Sequence, residues 1–275
     1  MMQLTVADEA AGLAGPDNRS VGAPNRVPRV TAEFWLIKLM AVTVGETAAD
    51  FLAVNLGLGL ELTTWIMTAV LLVALALQFA QRRYVAATYW LAVVLISVVG
   101  TLITDNLVDT FGVPLEVTTI ACVLLLAATF AIWYASERTL SIHTVVTTRR
   151  EIFYWLAVLF TFALGTAAGD LVAEQMQVGY LVTGIIFGGV IAAVAIAYFV
   201  LKIDGILAFW LAYIFTRPLG ASFGDLLSQP VEYGGLGLGT IITSLIFLGI
   251  IAGLVIYLTM TRRDAETVME SSAAL

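Results

Sequence analysis

Phe34–Leu52 reads FWLIKLMAVTVGETAADFL, and its frame returns three times in the chain. The copies are YWLAVVLISVVGTLITDNL from Tyr89, YWLAVLFTFALGTAAGDLV from Tyr154 and FWLAYIFTRPLGASFGDLL from Phe209. Each is an aromatic residue, then Trp, nine residues, Gly, four residues and Asp. The tryptophans are Trp35, Trp90, Trp155 and Trp210. The glycines are Gly45, Gly100, Gly165 and Gly220, and the aspartates Asp50, Asp105, Asp170 and Asp225. Four matches without a gap define a tandem repeat, and a repeat governs the whole fold.

Outward from these stretches the chain stays apolar. Of its 275 residues, 60% are hydrophobic and 12% charged, and mean hydropathy is +0.98. Soluble domains run nearer half apolar and a quarter charged, so the composition selects a membrane protein. The net charge of −7 therefore says little about nucleic acid, for which no partner role is expected. A single cysteine, Cys122, excludes a disulfide framework or a cysteine metal site. His143 is the only histidine and falls between apolar runs, which removes most histidine-based catalysis and ligation.

Eight apolar spans follow from the hydropathy pattern, at about 33–56, 60–80, 87–108, 115–136, 151–173, 178–200, 205–227 and 236–260. Each has roughly the 20 residues a helix needs to cross a ~30 Å hydrocarbon core. The runs lack strict alternation, which favours helices over barrel strands. The expected fold is an all-α membrane protein of eight transmembrane helices, arranged as four parallel two-helix repeats about a pseudo-fourfold axis. The expected division is a disordered cytoplasmic tail at 1–31, repeats at 32–83, 84–148, 149–203 and 204–261, and a cytoplasmic tail at 262–275. Within each repeat the first helix carries the Trp–Gly–Asp frame and belongs inside, because polar and small residues gather there. Successive tryptophans lie 55, 65 and 55 residues apart, a spacing that suggests two nested duplications.

Orientation follows from Lys and Arg. Arg19, Arg26, Arg29, Arg82, Arg83, Arg138, Arg149, Arg150, Lys202, Arg262 and Arg263 all fall on the tails or between repeats. The turns inside repeats have no basic residue and carry or adjoin Glu61, Asp109, Glu116, Glu174 and Glu232. The positive-inside rule then puts both termini in the cytoplasm and the acidic turns outside.

The four frames resemble those of a family of bacterial integral membrane proteins with four tandem two-helix repeats, each containing a tryptophan. The likeness spans about 34–260. That family is functionally uncharacterised, so the resemblance implies repeat architecture and a multi-pass place in the bacterial inner (plasma) membrane. It supplies no substrate.

The repeated residues carry the functional reading. Trp at the cytoplasmic end of each first helix suits a headgroup-level anchor, and Gly near the midplane suits close helix packing. Asp lies five residues past Gly, about 7–8 Å further outward. An intramembrane carboxylate is costly and faces the protein interior or a water cavity. Four of them at one level predict a ring for cation binding or proton relay: Asp50, Asp105, Asp170 and Asp225, with Glu46 one turn below. Oxygen-only ligands point to H⁺ or to a hard divalent metal such as Mn²⁺, Mg²⁺ or Ca²⁺, with the four aspartates as its ligands.

Thr63, Thr118, Thr183 and Thr240 near the start of the second helices are candidate supporting residues, either bonded to the carboxylates or capping their own helix ends. Lys38 is shallow enough to reach the cytoplasmic interface. Arg217 is too deep for that and needs an internal partner, best supplied by Glu46. Pro218 frees the carbonyl of Ile214 and predicts a kink. These features favour a transporter or permeation protein for a small cation, divalent or proton-coupled. The alternative is a structural or accessory membrane protein whose protonated aspartates pack helices. Enzyme activity is not expected, since no Ser–His pair, HExxH or phosphate loop appears. Oligomeric state is open.

Overall fold

A computed structural model describes residues 24–273, with side chains described for 24–261. The described residues are all-helical, with eight long helices and no strand. They are α1 (Ala32–Asp50), α2 (Leu60–Ala80), α3 (Ala86–Asp105), α4 (Leu115–Glu137), α5 (Thr148–Asp170), α6 (Tyr180–Phe199), α7 (Gly205–Ser228) and α8 (Thr240–Ala273).

Seven of the eight are long and apolar enough to cross a membrane. The exception corrects the expected count of eight apolar spans. Helix α1 forms as expected, but it carries Glu33, Lys38, Glu46 and Asp50 within nineteen residues. It is tolerable in a bilayer only because its neighbours cover it.

Helices α1, α3, α5 and α7 touch in a closed cycle, α1 on α3, α3 on α5, α5 on α7 and α7 on α1. Each second helix lies outside and packs on the inner helix of the next repeat: α2 on α3, α4 on α5, α6 on α7 and α8 on α1. Burial follows this division. In α3, 72% of the apolar window is buried, against 17% in α2. The outer helices present Leu62, Trp65, Leu72, Ile185, Phe199 and Leu245 outward, all large and exposed. Apolar surface on this scale needs lipid rather than water against it.

The frame explains the cycle. Each frame glycine abuts one residue of the next inner helix: Gly45 meets Ser97, Gly100 meets Phe162, Gly165 meets Arg217 and Gly220 meets Val42. A methyl added at Gly100 would sit 2.8 Å from the Phe162 Cβ, so only a missing side chain allows that approach.

The tryptophans do the same work at the other end of the frame. Trp90 packs at a tilt against Phe34 (5.5 Å between centroids), Trp155 against Tyr89 (5.4 Å), Trp210 against Tyr154 (6.2 Å) and Trp35 against Phe209 (5.7 Å). Such pairs contribute about 0.5–1.5 kcal/mol each beyond area burial. Trp90, Trp155 and Trp210 are buried and only Trp35 is partly exposed. The expectation of headgroup anchors is thus corrected. The indole follows an inward-facing aromatic by one position and turns sideways into the neighbouring repeat, not outward into lipid.

Residues 24–31 also depart from the expected loose tail, whose first 23 residues lie outside the described residues. Val27 is buried in the core. The Arg26 amide donates to the Val145 carbonyl, and the Tyr84 amide donates to the Asn25 carbonyl. Arg26 Nη1 lies 2.7 Å from Oε2 of the fully buried Glu151, whose Oε1 accepts from Gln78. This segment ties the α2–α3 and α4–α5 connections together under the bundle.

Candidate functional site

Four-residue steps along each inner helix follow one of its side-chain ridges. Starting at the frame aromatic, these steps build a central column in layers. The first layer is Phe34, Tyr89, Tyr154 and Phe209, with the Tyr89 and Tyr154 hydroxyls 2.5 Å apart. Next come Lys38, Val93, Val158 and Tyr213, then Val42, Ser97, Phe162 and Arg217. All eight are fully buried. Glu46, Thr101, Thr166 and Ala221 form the fourth layer, and the frame aspartates Asp50, Asp105, Asp170 and Asp225 the fifth.

Lys38 does not reach the cytoplasmic interface, which corrects the expectation from its depth. Its Nζ donates to the Tyr213 carbonyl at 2.7 Å and lies 3.9 Å from the centroid of the Tyr213 ring. Helix α7 offers both a carbonyl and a ring face there, so the ammonium turns inward.

Arg217 projects from the third layer into the fourth. Its Nη2 lies 2.7 Å from Glu46 Oε2 and 2.6 Å from Thr166 Oγ1, and it also donates to Thr101 Oγ1. Thr101 in turn donates to Glu46 Oε2 at 3.3 Å. The residue that follows the frame glycine in repeats 1, 2 and 3 thus holds the arginine of repeat 4. Arg217 is wholly buried, while Glu46 keeps 6% exposure toward the space above. Pro218 continues the packing, its ring facing Gly165 and Gly169 of α5.

Above this pair opens a cavity of about 150 Å³. Glu46, Asp50, Asp105, Asp170 and Asp225 all line it, joined by Asp109, Glu174 and Gln229. The last three lie four residues past a frame aspartate and make a sixth layer. Asp109 and Glu174 are exposed, so the cavity widens outward. Sequence reading placed these two acids only near the outer turns, although the same four-residue step points to them. In repeats 1, 2 and 3 the helix passes from α to π geometry just after the aspartate, at Phe51–Asn55, Asn106–Thr110 and Leu171–Gln175. Such wide turns frequently mark functional sites. In repeat 4 the α-helix continues to Ser228, and Gln229 donates to Asp50 Oδ2 at 3.3 Å.

The four threonines stand elsewhere. Thr63 donates to its own helix-end carbonyl at Gly59, and Thr240 to Asn55 Oδ1. The Thr118 and Thr183 hydroxyls are buried and have no partner among the described residues. None of the four lines the cavity. The repeat-4 counterpart of Thr63 is Thr243, which bonds Gly239 as Thr63 bonds Gly59. The longer turn of repeat 4 (Gln229–Gly239) displaces the match from Thr240.

The four aspartates are also the expected metal ligands. Among the described residues no group of three or more His, Cys, Asp or Glu side chains is placed to hold a metal ion. The aspartates stand on four separate helices around one cavity.

The repeat described as Repeat of Unknown Function (DUF347) matches residues 34–84, 88–139, 153–204 and 208–264. The chain belongs to that family. Each match to the DUF347 repeat starts at the frame aromatic or one residue before it, so one match contains one inner and one outer helix. No curated protein and no solved structure matches the chain.

Proposed function

We propose that this DUF347 protein is a multi-pass membrane protein that binds and passes a small cation through its central column. In this reading the four repeats stand about a pseudo-fourfold axis along the membrane normal. Both termini face the cytoplasm of a bacterial plasma membrane, and the carboxylate cavity opens outward. The closed cycle of inner helices and the Arg and Lys residues at the aromatic end support that placement.

One observation carries the function: seven carboxylates line one cavity, and the deepest of them, Glu46, is paired with the buried Arg217. Two like charges 4 Å apart repel by about 4 kcal/mol at an effective dielectric of ~20, so such a wall holds its shape best around a bound cation. A cleft lined by one sign of charge also draws counter-ions from solution. Arg217 neutralises Glu46 and bars the way below. A cation that reaches Glu46 competes with Arg217 for its carboxylate, and passage requires the guanidinium to leave.

The structural alternative draws no support from the bonding pattern. Aspartates that glue helices together must bond across them, yet Asp105, Asp170 and Asp225 have no side-chain partner among the described residues, and Asp50 has only Gln229.

The test is flux of Mg²⁺, Mn²⁺ and H⁺ into proteoliposomes, wild type against Asp105→Asn and Asp170→Asn, with folding followed by thermal melting. Lost flux at equal melting supports the site. Absence of flux of all three ions in a well-folded wild type overturns the transport reading.

A further inference from the structure

The same cavity restricts how a cation can sit in it. Its acids form three tiers, Glu46 lowest, the four frame aspartates above, and Asp109 with Glu174 at the mouth. Tiers four residues apart are about 6 Å apart along a helix. A bare Ca²⁺ takes six to eight oxygens at about 2.3–2.6 Å, and Mg²⁺ an octahedron at about 2.0–2.1 Å. No such convergence exists among the described residues. Yet Asp225 is only 8% exposed, faces this space and has no side-chain hydrogen-bond partner among the described residues. Its acceptors need a donor, and the 150 Å³ here holds several waters at roughly 10–15 Å³ of such volume each.

We propose that the cavity takes its cation with the water shell retained, the carboxylates accepting hydrogen bonds from the shell rather than touching the ion. The inference rests on the cavity being a cation site. It names the class of ligand as a hydrated ion, with Mg²⁺, which gives up water reluctantly, as the best fit. Charge and outer size then set selectivity, and the preference of a bare ion for a given ligand geometry does not.

Hexaamminecobalt(III) tests this, because its six ammine ligands do not exchange and leave no position for a carboxylate. Its binding to purified protein in detergent is measured by calorimetry, alone and against Mg²⁺. Hexaamminecobalt(III) should displace Mg²⁺ at equal or lower concentration. Asp225→Asn, and separately the mouth pair Asp109→Asn with Glu174→Gln, should weaken both ligands by the same factor, several-fold or more. If Mg²⁺ or Mn²⁺ binds and a hundredfold excess of hexaamminecobalt(III) fails to displace it, direct ligation is the mode and the inference is overturned. Cobalt binding unchanged in both variants means surface adsorption and overturns it too. If no cation binds at all, the cation-site reading falls and the inference with it.

Discussion

Arg217 Nη2 and Glu46 Oε2 lie 2.7 Å apart although 171 positions separate them in the chain. Removing one partner of a buried pair leaves an uncompensated charge, which costs about 3–5 kcal/mol, while replacing both by apolar groups is often neutral. Glu46→Gln should therefore lower unfolding stability by about that amount. The double variant Glu46→Leu with Arg217→Met should recover most of the loss. Denaturant unfolding in detergent checks this, and additive losses in the double variant would contradict the pairing.

The glycines divide by surroundings, and their alanine variants should divide by sign. Gly100→Ala drives a methyl toward Phe162 and Gly165→Ala toward the Arg217 stem. Each should destabilise by about 1–3 kcal/mol or more, the usual cost of overpacking. Gly189 in α6 has nothing within 4 Å of its missing Cβ. There alanine should raise stability by roughly 0.5–1 kcal/mol through helix propensity. Melting temperatures of the three variants decide the matter.

Tryptophan fluorescence separates anchoring from packing. Trp90, Trp133, Trp155 and Trp210 are buried, whereas Trp65 is 75% exposed on α2. In single-tryptophan variants reconstituted with brominated lipid, emission from Trp65 should be strongly quenched and that from the buried four should not. Strong quenching of Trp155 would restore the headgroup-anchor reading.

Orientation is tested by thiol labelling in intact cells on a Cys122→Ala background, since Cys122 is the only native cysteine. Gly57→Cys and Tyr233→Cys in the outer turns should react with an impermeant reagent. Thr148→Cys should not. The reverse pattern would invert the proposed topology and turn the cavity toward the cytoplasm.

Much of this was legible because the repeat repeats its chemistry at fixed depth. Helical rise alone puts the four aspartates at one level and Arg217 one turn below Glu46. Depth is not direction, however. Trp35 and its counterparts sit at the right height for an interface, but the neighbour they turn toward exists only after the inner helices close their cycle. Lys38 departs from its expected place for the same reason, since the Tyr213 carbonyl and ring that capture it belong to another repeat. Thr240 is not the match to Thr63, because the turn before it differs in length in repeat 4 and Thr243 takes that place. The Pro- and Arg-bearing stretch at 24–31 resembles a loose tail in composition, and its partners Gln78, Tyr84, Val145 and Glu151 all lie far along the chain.

The closed cycle has a consequence for how the protein is made. Helix α1 leaves the ribosome before the other seven, yet four charged residues keep it from being apolar enough to hold a bilayer position alone. The partner of Glu46 emerges 171 residues later, and Val42 and Trp35 also wait for Gly220 and Phe209. The first of the eight helices is thus the last to be secured, so a chain halted before α7 exposes Lys38 and Glu46 without their partners. An unpaired charge inside a membrane is costly, so the ring's final closure is the step that removes that cost.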